Sequence, residues 1–471
     1  MKEIALKKHR MMTQAPIASL ILKLSVPSTL SMLLNSLYGF ANTWFLSRLG
    51  TTVAGSLGVI FSITSMIQAL GFTLGNGAGS LLSRALGAKE NEIASGLAAL
   101  SFWLSLAIGS LLGFLGLIFL YPILRFLGAT EGMLPYAAAY ARLLFCAAPM
   151  MCASFVLNSL LRSEGKTVWS MIGFAVGNLL NILLDPLFIF TFDLGCEGAS
   201  LATLISQTVA VLTMLAAYVF KKSAVTLRLT NALRFHRCFP AILQTGAPSL
   251  LRQGLASVAS ILLTRAAAPW GDGAIAGVST VSRIFLLLYS FCLGIGQGLM
   301  PAAGYNKGAK NGNRAVLLYR FSLLLASAVM LALSIPTAIF APQILRFFRP
   351  DPTVIEIGAQ TLRAMCFVLP LHGCIAITNM FLQAMGNRFG ASLIAGARQG
   401  IFFLPLISWL PRAYGLWGLT VTQAASDLLT FLLTIPFVIF IFQHNFANHT
   451  KPQVFSSRKS RPLRDFLNRT S

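Results

Sequence analysis

The chain has 471 residues, 56% of them hydrophobic and only 10% charged, with a mean hydropathy of +0.75 and a formal net charge of +23. Soluble domains carry about 25% charged residues, so a water-soluble fold is excluded: it could not cover this much apolar surface, and lipid is the solvent that suits the composition. The basic excess does not point to nucleic acid, because Lys and Arg gather in alternate loops and at the two ends.

In chain order, a basic segment over 1–24 leads without a cleavable signal peptide into the first of twelve predicted membrane-spanning helices. Six spans fall at 25–47, 53–82, 94–121, 133–161, 168–191 and 198–220. A basic linker, 221–240, follows. Six more spans fall at 241–264, 274–302, 315–341, 354–384, 389–411 and 415–443, and a basic tail closes the chain over 444–471. One set of loops, counted with both ends, holds 24 of the 36 basic residues, and the opposite set holds six. This asymmetry places both termini in the cytoplasm, which requires an even number of crossings. The expected domains are a basic N-terminal segment (1–24), an N-lobe (25–220), the linker (221–240), a C-lobe (241–443) and the tail, which meets anionic lipid. The seven Cys residues have neither ligand spacing nor a disulfide pattern and read as small hydrophobes.

The two sets of six resemble each other. At a shift of 221 residues, Pro27-Ser28 meets Pro248-Ser249, and Gly50 meets Gly271. Gly75-Asn76-Gly77 meets Gly296-Gln297-Gly298, and Gly87-Ala88-Lys89 meets Gly308-Ala309-Lys310. Asn158 meets Asn379, and Gly165 meets Gly386. With six spans each, the halves insert in the same orientation as parallel repeats. Secondary transporters are commonly built this way, with substrate held between repeats that rock.

An ionisable residue at bilayer depth is costly and is a functional candidate by default. Asp185 and Asp427 are the two acids expected there. Asp185 lies in GNLLNILLDPLFIF (177–190), where Asn178, Asn181 and Asp185 share one helix face and Pro186 frees a carbonyl of the preceding turn. A carboxylate with amide and carbonyl oxygens suits a hard cation such as Na⁺, whereas a buried carboxylate alone suits a proton. The rival reading is an interhelical hydrogen-bond cluster. Asp427, Arg398 and the adjacent Gln399 form a candidate polar site in the second half, with a buried partner expected for Arg398. Arg283 and Arg363 read as snorkelling side chains, and His372 as a packing residue. The glycine pairs GNG and GQG carry no nucleotide signature and read as points of close helix contact or kinking. No Walker sequence, GxSxG, HExxH or CxxC occurs, so neither an enzyme nor a bound metal or cofactor is expected.

LNSLYGFANTWFLSRLG (34–50), GNLLNILLDPLFIF with LGCEGASLATLISQ (194–207), GIGQGLMPAAGYNKGAKNGNR (294–314), FLQAMGNRFGASLIAGARQGIFFLPL (381–406) and YGLWGLTVTQAASD (414–427) resemble the MATE family, the multidrug and toxic compound extrusion transporters. The resemblance runs along nearly the whole chain in the family's order. It implies an all-α, twelve-helix protein of two V-shaped lobes in a bacterial plasma membrane. The protein would export small, cationic or amphipathic organic compounds by antiport against H⁺ or Na⁺. It also implies a cation-coupling site of Asp185, Asn181, Thr203 and the Ala199 backbone, and a helix bend at Pro27. Asn42 stands where the family has a first-helix Asp, which leaves H⁺ and Na⁺ both open. A monomer contacting membrane lipid is expected. The alternatives are a flippase for a lipid-linked precursor and a transport-inactive scaffold.

Overall fold

The computed structural model describes residues 9–49, 51–220, 225–348 and 351–443. Met1 to Lys8, Lys221, Lys222 and the tail over 444–471, all assigned above to basic cytoplasmic segments, lie outside the described residues. Among the described residues the structure is helical and has no strand.

The helices are α1 (Ile17–Ser47), α2 (Thr51–Gly87), α3 (Asn91–Ile118), α4 (Leu134–Ser163), α5 (Thr167–Pro186) and α6 (Gly195–Val219) in the first half. The second half has α7 (Phe239–Ala267), α8 (Gly271–Gly308), α9 (Gly312–Ile339), α10 (Pro352–Met385), α11 (388–414) and α12 (416–443). Ten helical stretches among the described residues are long and apolar enough to cross a membrane. Two physical details account for the twelve crossings expected. The 29-residue α7 reaches across the bilayer by length, but Gln244, Arg252 and Gln253 lower its hydropathy. The stretch Arg388–Gln443 is broken at Gly415, whose φ of 59° and ψ of −139° turn the chain from α11 into α12. No Cβ stands in the way of that left-handed backbone.

The start of the first helix differs from the sequence reading. α1 starts at Ile17, because Leu20, Ile21 and Leu24 are already buried and Pro16 precedes the first turn. Residues 17–24 are therefore the first turns of a membrane helix. The described part of the linker is anchored on α3: Trp103 Nε1 donates to the Leu227 carbonyl at 3.1 Å, Arg234 pairs with Glu92, and Phe235 is buried over Gly96.

The 221-residue repeat is visible in the backbone. Lys89 and Lys310 both take positive φ, at 62° and 59°, and so do Gly165 and Gly386, at 76° and 77°. Asn158 Nδ2 donates to the Ser170 carbonyl at 3.3 Å, and Asn379 Nδ2 donates to the Ala391 carbonyl at 2.5 Å, with both members displaced by the same shift. The interface between the halves repeats too. A Cβ on Gly77 would lie 2.2 Å from the Ile242 carbonyl oxygen, and one on Gly298 would lie 2.7 Å from the Ser25 nitrogen. A Cβ on Gly87 would lie 2.1 Å from the Tyr305 carbonyl oxygen, and one on Gly308 would lie 2.0 Å from that of Arg84. Small residues let helix backbones meet in lipid, where packing rather than the hydrophobic effect holds helices together. These contacts lie toward the end that carries Lys89 and Lys310, called here the basic end. Asn76 Nδ2 donates to Ser249 Oγ at 3.0 Å in the same region, and Ser36 and Ser290 share a 2.7 Å hydroxyl bond farther along α1 and α8. Near the opposite end the Phe40 and Phe348 rings form a looser contact, 6.2 Å between centroids.

Candidate functional site

The first polar centre lies within the first half, where α1, α4, α5 and α6 converge. The 3.6-residue period turns Asn178, Asn181 and Asp185 inward together, and all three are buried. Directly after Pro186 the helix widens into a π-helical turn, Leu187–Thr191. Such turns appear where a backbone is locally strained, often beside functional residues.

The Asn181 amide satisfies its neighbours when its Nδ2 donates to Asp185 Oδ2 at 3.1 Å. Its Oδ1 then accepts from the Thr203 backbone N–H at 3.1 Å and from Ser206 Oγ at 3.3 Å. Thr203 Oγ1 donates to the Ala199 carbonyl at 3.0 Å, which fixes the hydroxyl against α6. Asp185 is fully buried, and no Lys, Arg or His lies within 4.0 Å of its carboxylate among the described residues. An isolated carboxylate in such a place costs about 3 kcal/mol or more. Proton or cation uptake relieves that cost.

Asn42 enters the site indirectly. Its Nδ2 donates to Tyr140 Oη at 3.2 Å and reaches Tyr38 Oη at 3.5 Å. Both phenols are also within electrostatic reach of Asp185 and Thr203. The structure thus brings Asp185, Asn181, Thr203, Ala199 and Asn42 into one cluster and adds Tyr38, Tyr140 and Ser206. Tyr38 lies one turn before Asn42, and Ser206 lies three residues after Thr203, so their helical spacing was a usable signal. Tyr140 is on α4 and had none.

Pro27 is not in this cluster. It lies 11 residues before Tyr38, about 16 Å along the helix, and α1 runs unbroken through it. Its ring removes the donor for the Lys23 carbonyl, which instead accepts from Thr167 Oγ1 at 3.4 Å. The Pro27 joint is therefore clasped to the start of α5.

The second polar centre joins α10, α11 and α12. Arg398 sits in another π-helical turn, Ala397–Ile401. Its Nε donates to Asp427 Oδ1 at 2.7 Å and its Nη2 reaches Oδ2 at 3.4 Å. Gln423 Nε2 adds a 3.1 Å bond to Oδ1. His372 Nδ1 lies 3.6 Å from Asp427 Oδ2, while its ring stands edge-on to Tyr289 and Phe285 at 4.7 and 5.3 Å. The expectation of His372 as packing alone misses this carboxylate neighbour. The Arg398 guanidinium also lies over Phe285, 5.1 Å from the ring centroid. Gln399 is buried, and its Oε1 has no hydrogen-bond partner. Asp427, Arg398 and Gln399 therefore lie together, with Asp427 already neutralised by an arginine.

The MatE family profile matches the chain twice, over residues 27–187 and 248–407. The start of the second match lies 221 residues after the first, the shift seen in the sequence. The curated relatives include the multidrug export protein MepA of Staphylococcus saprophyticus, 27% identical over 87% of this chain and 92% of its own length. MepA of Staphylococcus aureus is 25% identical over 89% and 94%. Among solved structures, an outward-facing conformation of a multidrug resistance MATE family transporter of the MOP superfamily superposes with a TM-score of 0.86. It is 25% identical, covering 93% of this chain and 98% of that one. A MATE crystal structure in complex with MaL6 gives 0.85 at 26% identity, with the same coverage.

Proposed function

Since the chain belongs to the MatE family of multipass membrane transporters, we propose that it exports small amphipathic organic compounds in exchange for protons bound at Asp185. The observation that carries the proposal is the sealed Asp185 carboxylate, which has an amide donor beside it and no cation within 4.0 Å among the described residues. The names of the staphylococcal relatives support export of drug-like compounds. Family membership makes it a transporter rather than an enzyme.

The choice of proton over Na⁺ follows from the donor set. A hard cation wants a shell of oxygens. With the Asn181 amide assigned so that its neighbours are satisfied, its nitrogen faces Asp185 and its oxygen goes to Thr203 and Ser206. Asn42 engages two phenols through its Nδ2. A proton needs only the carboxylate. Coupling then requires that the proton and the substrate favour different arrangements of the two halves. The acid of the second half is already paired with Arg398, so charge uptake during rocking is assigned to Asp185 in the first half.

The basic end is assigned to the cytoplasm by the positive-inside bias, which places both termini there in a bacterial plasma membrane. A monomer suffices, because one chain supplies both halves and both polar centres; lipid is its other partner.

The test uses purified protein in liposomes loaded with an amphipathic dye. Efflux should follow an imposed pH gradient, ignore an imposed Na⁺ gradient, and fall at least about tenfold in Asp185→Asn. Efflux driven by Na⁺ would overturn proton coupling, and an unimpaired Asp185→Asn would overturn the site.

A further inference from the structure

The 221-residue repeat carries one motif that neither polar centre nor the interface between the halves uses. Ile123-Leu124-Arg125-Phe126 recurs as Ile344-Leu345-Arg346-Phe347. Each copy lies in a short helix, Leu120–Phe126 after α3 and Ala341–Phe348 after α9. α3 and α9 start beside Lys89 and Lys310, and each runs for 28 residues, about 42 Å at the helical rise. That length crosses the hydrocarbon, so both short helices lie at the membrane surface opposite the basic end.

The two copies present the same faces. Leu120 and Leu124 are buried in the first half, and Ala341 and Leu345 in the second, with Leu345 seated over Gly358 of α10. Two residues beyond the central Leu the helix has turned to its opposite side, and there Phe126 is 89% exposed and Phe347 87%. Among the described residues these are the two most exposed large hydrophobic side chains, and they occupy one position of the repeat. The Arg between Leu and Phe is exposed in both copies. Arg125 meets Glu131 through Nη2 at 3.1 Å, and Arg346 has no carboxylate within 4.0 Å among the described residues. A phenyl ring beside a guanidinium at the end of a span suits the boundary where acyl chains meet phosphates. Recurrence decides the partner. A protein partner would have to meet both halves, whereas a lipid leaflet surrounds the whole molecule.

We propose that the two short helices are a matched pair of surface anchors. They insert Phe126 and Phe347 among the upper acyl segments of the leaflet opposite the basic end and set Arg125 and Arg346 at the level of its phosphates. Interfacial helices combine an apolar face with cationic side chains in this way. Each half thereby keeps its outer end at a fixed depth while the halves move. The inference concerns the partner of these two faces and does not depend on the coupling ion or on the compound carried.

The experiment places the purified full chain in phosphatidylcholine vesicles that contain a trace of phosphatidylcholine bearing a photoreactive diazirine, either high on the acyl chain or at its methyl end. Adducts are mapped by proteolysis and mass spectrometry. Leu324, exposed near the middle of α9, is the reference for the bilayer centre. The high probe should label both short helices severalfold more than the methyl-end probe, and Leu324 should show the reverse preference. Phe126→Ser should lower labelling of Leu120–Phe126 severalfold and leave that of Ala341–Phe348 unchanged; Phe347→Ser should do the converse. Melting temperatures show whether each variant is folded, and if either fails to fold, the two-depth comparison in the wild type still decides the matter. Short helices unlabelled by both probes while Leu324 is labelled, equal labelling by both probes, or labelling confined to one half would overturn the inference. A dimer that dissociates in the double variant Phe126→Ser/Phe347→Ser would assign these faces to a second copy of the chain and overturn it as well.

Discussion

Asp185 and Asp427 are both sealed from water, yet they are neutralised in opposite ways. Asp427 has a fixed cation in Arg398; Asp185 has, among the described residues, no cation within 4.0 Å, and the proposed exchange supplies it with a mobile one. Removing one partner of the Arg398–Asp427 pair should therefore be worse than removing both. Arg398→Met or Asp427→Asn leaves an unbalanced buried group and should cost about 3–5 kcal/mol, seen as a sharp fall in melting temperature. The double variant Arg398→Met/Asp427→Leu should recover most of it. Equal losses in all three would show that the pair does not act as a unit. Around Asp185, Asn42→Ala breaks the 3.2 Å bond to Tyr140, costing about 1 kcal/mol of stability and lowering dye efflux severalfold. An unchanged efflux rate would detach Asn42 from the site. Asp185, Asn181, Thr203 and Asn42 were legible in the sequence because helical period and the family motif mark them. Tyr140 was not, because its part depends on how α4 crosses α1, and nothing local in AAAYARLL encodes that crossing.

At the scale of helices, glycine decides how close the two halves come. Gly77 and Gly308 each face a carbonyl oxygen across the interface at a distance no Cβ can occupy. Gly39, on α1 toward the other end, has nothing within 4 Å of its Cβ position. Gly77→Ala and Gly308→Ala should each lower efflux at least severalfold by holding the basic end apart, and each should lower the melting temperature. Gly39→Ala should change neither. Comparable behaviour of all three would refute a role for close approach in the transport cycle. The GNG and GQG motifs were read as contact points or kinks; contact is what the structure shows, since α2 and α8 run continuously through them. α7 shows the limit of hydropathy alone. Its Arg252 and glutamines lower its apolar average, and Arg252 is the residue through which α7 meets the polar groups of α10, at Asn379 Oδ1.

For the whole molecule, duplication is the feature the sequence revealed most completely. One shift aligns backbone conformations at Lys89 and Lys310, hydrogen bonds at Asn158 and Asn379, and the helix contacts at Gly77 and Gly298. The chemistry of the two halves has diverged on that shared frame. The position of Ser206, beside Asn181, becomes Asp427 in the second half, and that of Asn178 becomes Gln399. One half thus holds a buried acid with no cation within 4.0 Å among the described residues, and the other holds a buried acid paired with Arg398. The grouping of Asp427 with Arg398 was legible in the sequence, but their direct pairing was not, because it depends on how α11 and α12 face one another.

The most direct measurement is the number of protons released when substrate binds to the detergent-purified protein in weakly buffered solution, read with a pH indicator. Exchange at Asp185 predicts that the wild type releases up to about one proton per substrate bound and that Asp185→Asn, still binding substrate, releases none. Binding without proton release in the wild type, or equal release in Asp185→Asn, would contradict proton exchange at this carboxylate.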